Sequence, residues 1–189
     1  AMSIEAHADL RAYFHERVRA AMDRLSVQAR PDTELYLVDL LAEGRRQALA
    51  TPDQPLVHRL QEALAAADAR ERLQILRGMG DAALYTCGFF ADHVERRGMS
   101  PDYYVAMGGR AYREASSLCN QRRATFGELA GGFRGWVRVI GEVREHTMLR
   151  TPQDIVKLYD RWRKSRSPEV AARLHAAGVF PQVPGGALH

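Results

Sequence analysis

An all-α fold, an irregular bundle of about seven or eight helices, is what this sequence predicts, and three observations predict it. Apolar residues recur three and four apart almost throughout the chain, no segment shows the strict alternation of a half-buried strand, and Pro, Gly and Ser/Thr/Asp breaks fall at helix-length intervals. With 189 residues, 46% of them hydrophobic and 26% charged, the chain has apolar material for one sizeable core. A single domain is therefore expected over 3–180, with a Pro- and Gly-rich extended tail over 181–189.

The elements follow in order. Leu10, Phe14, Val18, Met22 and Leu25 form one apolar stripe on a first helix beginning near Ser3. A break at Ala29-Arg30-Pro31-Asp32 leads to a second helix, with Asp32 or Thr33 as its N-cap and Leu35, Val38 and Leu41 along it. After Thr51-Pro52-Asp53, Pro55 suits a helix's first turn and the run to Ala67 is short. Asp68 separates it from a helix expected over Ala69 to Phe89. Ser100-Pro101-Asp102 reads as cap and first turn of another, running to about Asn120. Thr125 opens a long helical segment to His146, Thr151-Pro152-Gln153-Asp154 opens one ending near Lys164, and Ser167-Pro168-Glu169 opens the last, which Gly178 stops.

Composition and motifs exclude several chemistries. The net charge of +4 is modest, and lysine occurs only at Lys157 and Lys164, so the arginine content reads as coding bias rather than as a phosphate-binding surface. Cys87 and Cys119 lie on apolar helix faces and are expected to be buried free thiols, which suits a cytoplasmic protein. No window approaches a membrane span and the start lacks a secretory layout. Glu-x-x-His and His-Glu-x-x-His metal motifs are missing; Glu142 with His146 and Asp92 with His93 are weak pairs, so neither metal nor cofactor is expected. Phosphate loops and nucleophile elbows are missing too.

Four places draw attention. On the helix from Ala69, Arg77, Asp81, Tyr85 and Gly88 form a polar strip beside the core; a desolvated Asp81 there suits acid–base work, and an interhelical ion pair or phenol–carboxylate bond is the plainer reading. Tyr103, Tyr104 and Tyr112 join Tyr85 and Phe89 as candidate borders of a small-molecule pocket, whereas Gly108, Ala111 and Ala115 suggest close helix packing in the same region. Further on, Gly127, Gly131 and Gly135 repeat every fourth residue on the polar side of their helix, opposite Phe126, Leu129, Phe133, Trp136, Val137 and Ile140 and flanked by Glu128, Arg138 and Glu142. Three exposed glycines weaken a helix, so another backbone is expected against them, from this chain or from the partner in a homodimer. A basic run, Arg161, Arg163, Lys164 and Arg166 with Tyr159 and Trp162, lacks a following recognition helix and makes nucleic acid an unlikely partner.

The set Gly80-Asp81-Ala82-Ala83-Leu84-Tyr85, Gly88-Phe89-Phe90, Tyr103-Tyr104 and Gly108 to Tyr112 resembles an uncharacterised family of bacterial helical proteins, over about Leu35 to Pro181. That resemblance implies a bacterial cytoplasmic origin and no activity, cofactor or catalytic residue. The function expected is a helical interaction or regulatory module, acting by protein–protein contact as a homodimer. A small-molecule-binding protein or enzyme with a helix-lined pocket near Asp81, Tyr85 and Tyr104 is the alternative, and a basic nucleic-acid binder the third.

Overall fold

In a computed structural model, residues 4–50, 55–91, 94, 98–147, 159 and 162–176 are described, and no strand occurs among them. The expected all-α bundle is what they form. Its helices are α1 (Ile4–Leu25), α2 (Pro31–Ala50), α3 (Leu56–Ala65), α4 (Ala69–Phe89), α5 (Pro101–Leu118), α6 (Arg123–Gly131), α7 (Phe133–His146) and α8 (Pro168–Ala176). The expected break at Thr51 to Asp53, the Asp92-His93 pair, most of the helix from Pro152 and the tail from Pro181 lie outside the described residues. By contacts the chain divides into two compact units, Ala1–Val143 and Arg144–His189.

The first unit is organised around α4, whose residues from Met79 to Tyr85 are buried without interruption. A helix buried all round must be contacted from several sides, and α2, α3 and α5 all pack on it. α1 lies against α2, and α6 against α5 and α2. Sequence periodicity favours α5 as the central element, but its buried set is the narrower Gly108, Gly109, Ala111, Tyr112 and Ala115. Phe126 and Leu129 of α6 and Phe133, Trp136, Val139, Ile140 and Val143 of α7 complete the core as the wheel predicts, with Val137 half-buried at its edge.

Several helix ends depart from expectation for identifiable reasons. α2 starts at Pro31, so Asp32 and Thr33 belong to its first turn rather than its cap, and a carboxylate from another helix serves that end. Ser100 stands at the N-cap of α5 but its side chain makes no capping bond. Asp68 does cap α4, accepting from the Arg70 N–H at 3.1 Å. The short α3 is held by its neighbours. Its Val57 N–H donates to the Tyr103 oxygen at 3.1 Å, while Arg72 donates to the carbonyls of Ala63 and Ala66 at 3.0 and 2.9 Å.

The segment expected as one helix from Thr125 to His146 is two. Gly132 leaves the helix between α6 and α7 with φ −105° and ψ 19°. There the Trp136 indole N–H donates to the Glu128 carbonyl at 3.0 Å. A Cβ on Gly132 would lie 2.9 Å from that indole nitrogen, so the side chain and the break depend on each other.

In the second unit Trp162, Val170 and Leu174 form a small core with Tyr159 and Ala171 against it. The Arg166 guanidinium lies 4.5 Å from the Trp162 ring centre, which accounts for one member of the basic run by cation–π packing. Arg161 is outside the described residues.

Glycines inside the bundle and on its surface should respond oppositely to substitution. A Cβ on Gly108 would overlap the Phe133 ring and stand 2.8 Å from the Ala83 Cβ, whereas one on Gly127 meets nothing within 4 Å. Gly108→Val is expected to lower unfolding free energy in urea by about 2–3 kcal/mol through overpacking. Gly127→Ala should raise it by up to about 1 kcal/mol through helix propensity. A neutral Gly108→Val would contradict the close α4–α5 contact.

Candidate functional site

Asp81 is only 2% exposed, so it sits within the core rather than beside it as the wheel suggested. Tyr36 from α2 donates its hydroxyl proton to Asp81 Oδ1 at 2.5 Å, and Tyr112 from α5 donates to the same oxygen at 2.7 Å. Arg77, one turn earlier on α4, places its Nε 3.6 Å from Asp81 Oδ2 and donates to the Tyr36 oxygen at 3.2 Å. Three helices thus meet at one carboxylate. Hydrogen bonds to an ionised acceptor are the stronger kind, and they are what make its burial tolerable.

The electrostatics follow from that burial. Desolvation, then the Asp81 charge and hydrogen bond, push the Tyr36 phenol well above its ordinary pKa, although Arg77 pulls the other way. Tyr112 is raised for the same first two reasons, with Tyr36 adding to the effect. Burial disfavours the Arg77 cation, but Tyr36 and Asp81 outweigh it and hold its pKa above the usual arginine value. Both phenols therefore remain protonated donors at neutral pH. Cys87, buried and desolvated, has its thiol pushed up to about 11, which leaves it a poor nucleophile.

The remaining aromatic candidates separate. The buried ring of Tyr85 stacks on Phe89 at 5.3 Å and covers the spot where a Gly44 side chain would stand. Tyr104 donates to the Met99 sulfur at 3.3 Å, and the exposed Tyr103 serves the start of α3. Of the six pocket candidates, Arg77, Asp81 and Tyr112 are brought together at the carboxylate. Tyr36 is the member that sequence reasoning missed; its signal is a hydroxyl-bearing aromatic within the apolar run Leu35 to Leu41.

The glycine row faces outward as predicted. Gly127 and Gly131 are exposed and Gly135 is half-buried, and a Cβ on any of them would meet nothing within 4 Å. The intramolecular backbone contact considered from sequence is thus not made among the described residues. Arg138 is exposed farther along α7. Two shallow grooves flank the row. One, about 500 Å³, lies between α5 and the α6–α7 junction and is lined by Ala106, Gly109, Arg110, Arg113, Gly131 and Gly135 among others. The other, about 410 Å³, includes Val27, Gln28, Glu128, Gly131 and Trp136. Neither groove is lined by Arg77, Asp81, Tyr85, Tyr104 or Tyr112.

Glu128, noticed in the sequence only as a neighbour of the glycines, anchors this edge. It accepts from the Thr33 hydroxyl at 2.5 Å and from the Arg30 N–H at 3.3 Å, so its charge sits at the positive N-terminal end of α2. No group of three metal-ligating side chains occurs among the described residues, and no helix among them is long and apolar enough to cross a membrane. The chain matches no family model, no curated protein and no solved structure.

The phenol–carboxylate network has a pH signature. The ordinary phenol value is 10.0 and both folded values lie above it. Their contribution is therefore complete below the unfolded value and declines as pH rises past it, because the unfolded chain then releases protons the folded one retains. Urea midpoints between about pH 8 and pH 11 should fall more steeply for the wild type than for Tyr36→Phe/Tyr112→Phe. Equal slopes would show that the phenols titrate normally. Asp81→Ala, which strands two buried hydroxyls, should cost about 3 kcal/mol or more at neutral pH.

Proposed function

We propose that this chain is a cytoplasmic helical interaction module, acting by protein–protein contact through the edge that carries Gly127, Gly131 and Gly135. One observation carries the reading: three glycines in helical segments have open space where a side chain would stand. Within a helix, propensity disfavours glycine by up to about 1 kcal/mol against alanine, and by less at a helix end such as Gly131, the last residue of α6. At Gly80 and Gly108 the folded chain itself supplies the reason, because Tyr112 and Phe133 occupy the space. At the outer row no described residue does, and close approach by a second backbone supplies it instead. The free thiols Cys87 and Cys119 fit a reducing compartment.

Asp81 supports this reading indirectly. A general base needs a substrate within hydrogen-bond reach, whereas Asp81 Oδ1 already accepts from two phenols and Oδ2 faces Arg77. Its arrangement is that of a structural centre. A homodimer is one form of the proposed contact, and a different protein is the other.

Photo-crosslinking distinguishes these forms. p-Benzoylphenylalanine placed at Gly131, in cells of the source organism, is expected to give a discrete adduct, and the same group at exposed Gln74 on α4 is expected to give none. An adduct of twice the chain's mass identifies a second copy. A folded Gly131 variant that yields no adduct would remove this edge as the contact.

A further inference from the structure

We infer that the groove between α5 and the α6–α7 junction receives a carboxylate-bearing helix of a partner protein. This rests on the interaction-module reading and assigns the partner's chemistry. Ala106, Gly109, Arg110 and Arg113 are three and four apart on α5, so they line one face of that helix. Opposite them stand Ala130, Gly131 and Gly135, and between the two walls lies about 500 Å³ of open groove. Six of its eleven lining residues are glycine or alanine, with Val105 and Phe133 the larger apolar ones, and small residues are what a helix approaching at the short end of the usual interaxial range requires. From Val105 to Arg113 the α5 wall runs roughly 12 Å at the helical rise, enough for two turns of a partner helix.

Charge decides what kind of helix. Arg134, which lines the groove, is already paired with the exposed Asp102 of α5 at 2.8 Å. Arg110 and Arg113 are exposed and have no ion pair among the described residues. Two guanidinium groups on one helical face, three residues apart, match two carboxylates three or four residues apart on the incoming helix, each open to bidentate pairing. Such rim charges set orientation and association rate, while the small-residue floor sets closeness. Glu128 on the far side of the glycine row is engaged by α2 and does not neutralise the arginines.

A display library of helices three to four turns long, randomised among Glu, Lys and Ala at its charged positions, tests this with the whole chain as bait. Recovered helices should carry Glu three or four residues apart on one face. A resynthesised one, followed by fluorescence anisotropy, should bind the Arg110→Glu/Arg113→Glu chain about tenfold or more weakly. Its Glu→Lys counterpart should show the reverse preference. Gly131→Leu, which fills the floor and leaves the arginines in place, should also lose the acidic helix. Recovery of no helix, recovery without charge preference, or displacement of the bound helix by an equimolar DNA duplex would overturn the inference. A crosslink from position 131 to a helix without carboxylates, or to a second copy, would overturn it too and leave the interaction module standing.

Discussion

A carboxylate 2% exposed at the meeting point of three helices is the constraint on which the first unit depends. Removing it from water is costly, and only close, well-aimed donors make the arrangement tolerable. Here the donors come from α2 and α5, so neither helix can slide along α4 without stranding a phenol. The rings that carry those hydroxyls bring further order. Tyr112 stacks on Phe126 at 6.0 Å and Tyr36 meets the same ring edge-on at 5.8 Å, which extends the register from the polar centre to α6. Gly80 belongs to the same device, since a Cβ there would stand 2.6 Å from the Tyr112 ring.

The outer edge is a consequence of how α6 meets these demands. Phe126 and Leu129 turn inward, and Glu128 reaches across to the start of α2. The break at Gly132 then lets Trp136 fold back against the Glu128 carbonyl and directs Phe133 and Ile140 into the core. With those faces committed, positions 127, 131 and 135 are left on the outer side together with the exposed Arg134 and Arg138. Glu128 therefore links the two regions: its side chain secures α2 and its backbone secures α7.

What was legible in the sequence was whatever one helix determines alone. Apolar spacing located the helices, the core arc of α6 and α7, and the outward direction of the glycines, because each is a property of local periodicity. The Arg77–Asp81 spacing was legible for the same reason. Tyr36 was not, since its partner lies 45 residues away on another helix and nothing local marks the pairing. Tyr85 was legible only in part, because four-residue spacing places a side chain on a face without saying which neighbours its ring packs on, here Phe89 and Gly44. The wheel also assumes a straight helix, so it could not show that the glycine row crosses a break at Gly132.

The same residue type thus supports two different arguments in one chain. Gly80 and Gly108 are explained when the fold is explained, because aromatic rings occupy the volume their side chains would need. Gly88, against Ile140, is of the same kind. Gly127, Gly131 and Gly135 leave that volume open, and folding offers no gain for the propensity they forgo. A carboxylate that accepts from phenols on two other helices makes the scaffold specific in its register. The outer edge, where a Cβ on any of the three glycines would meet nothing within 4 Å, takes no part in that register, and its composition is what the proposed contact addresses.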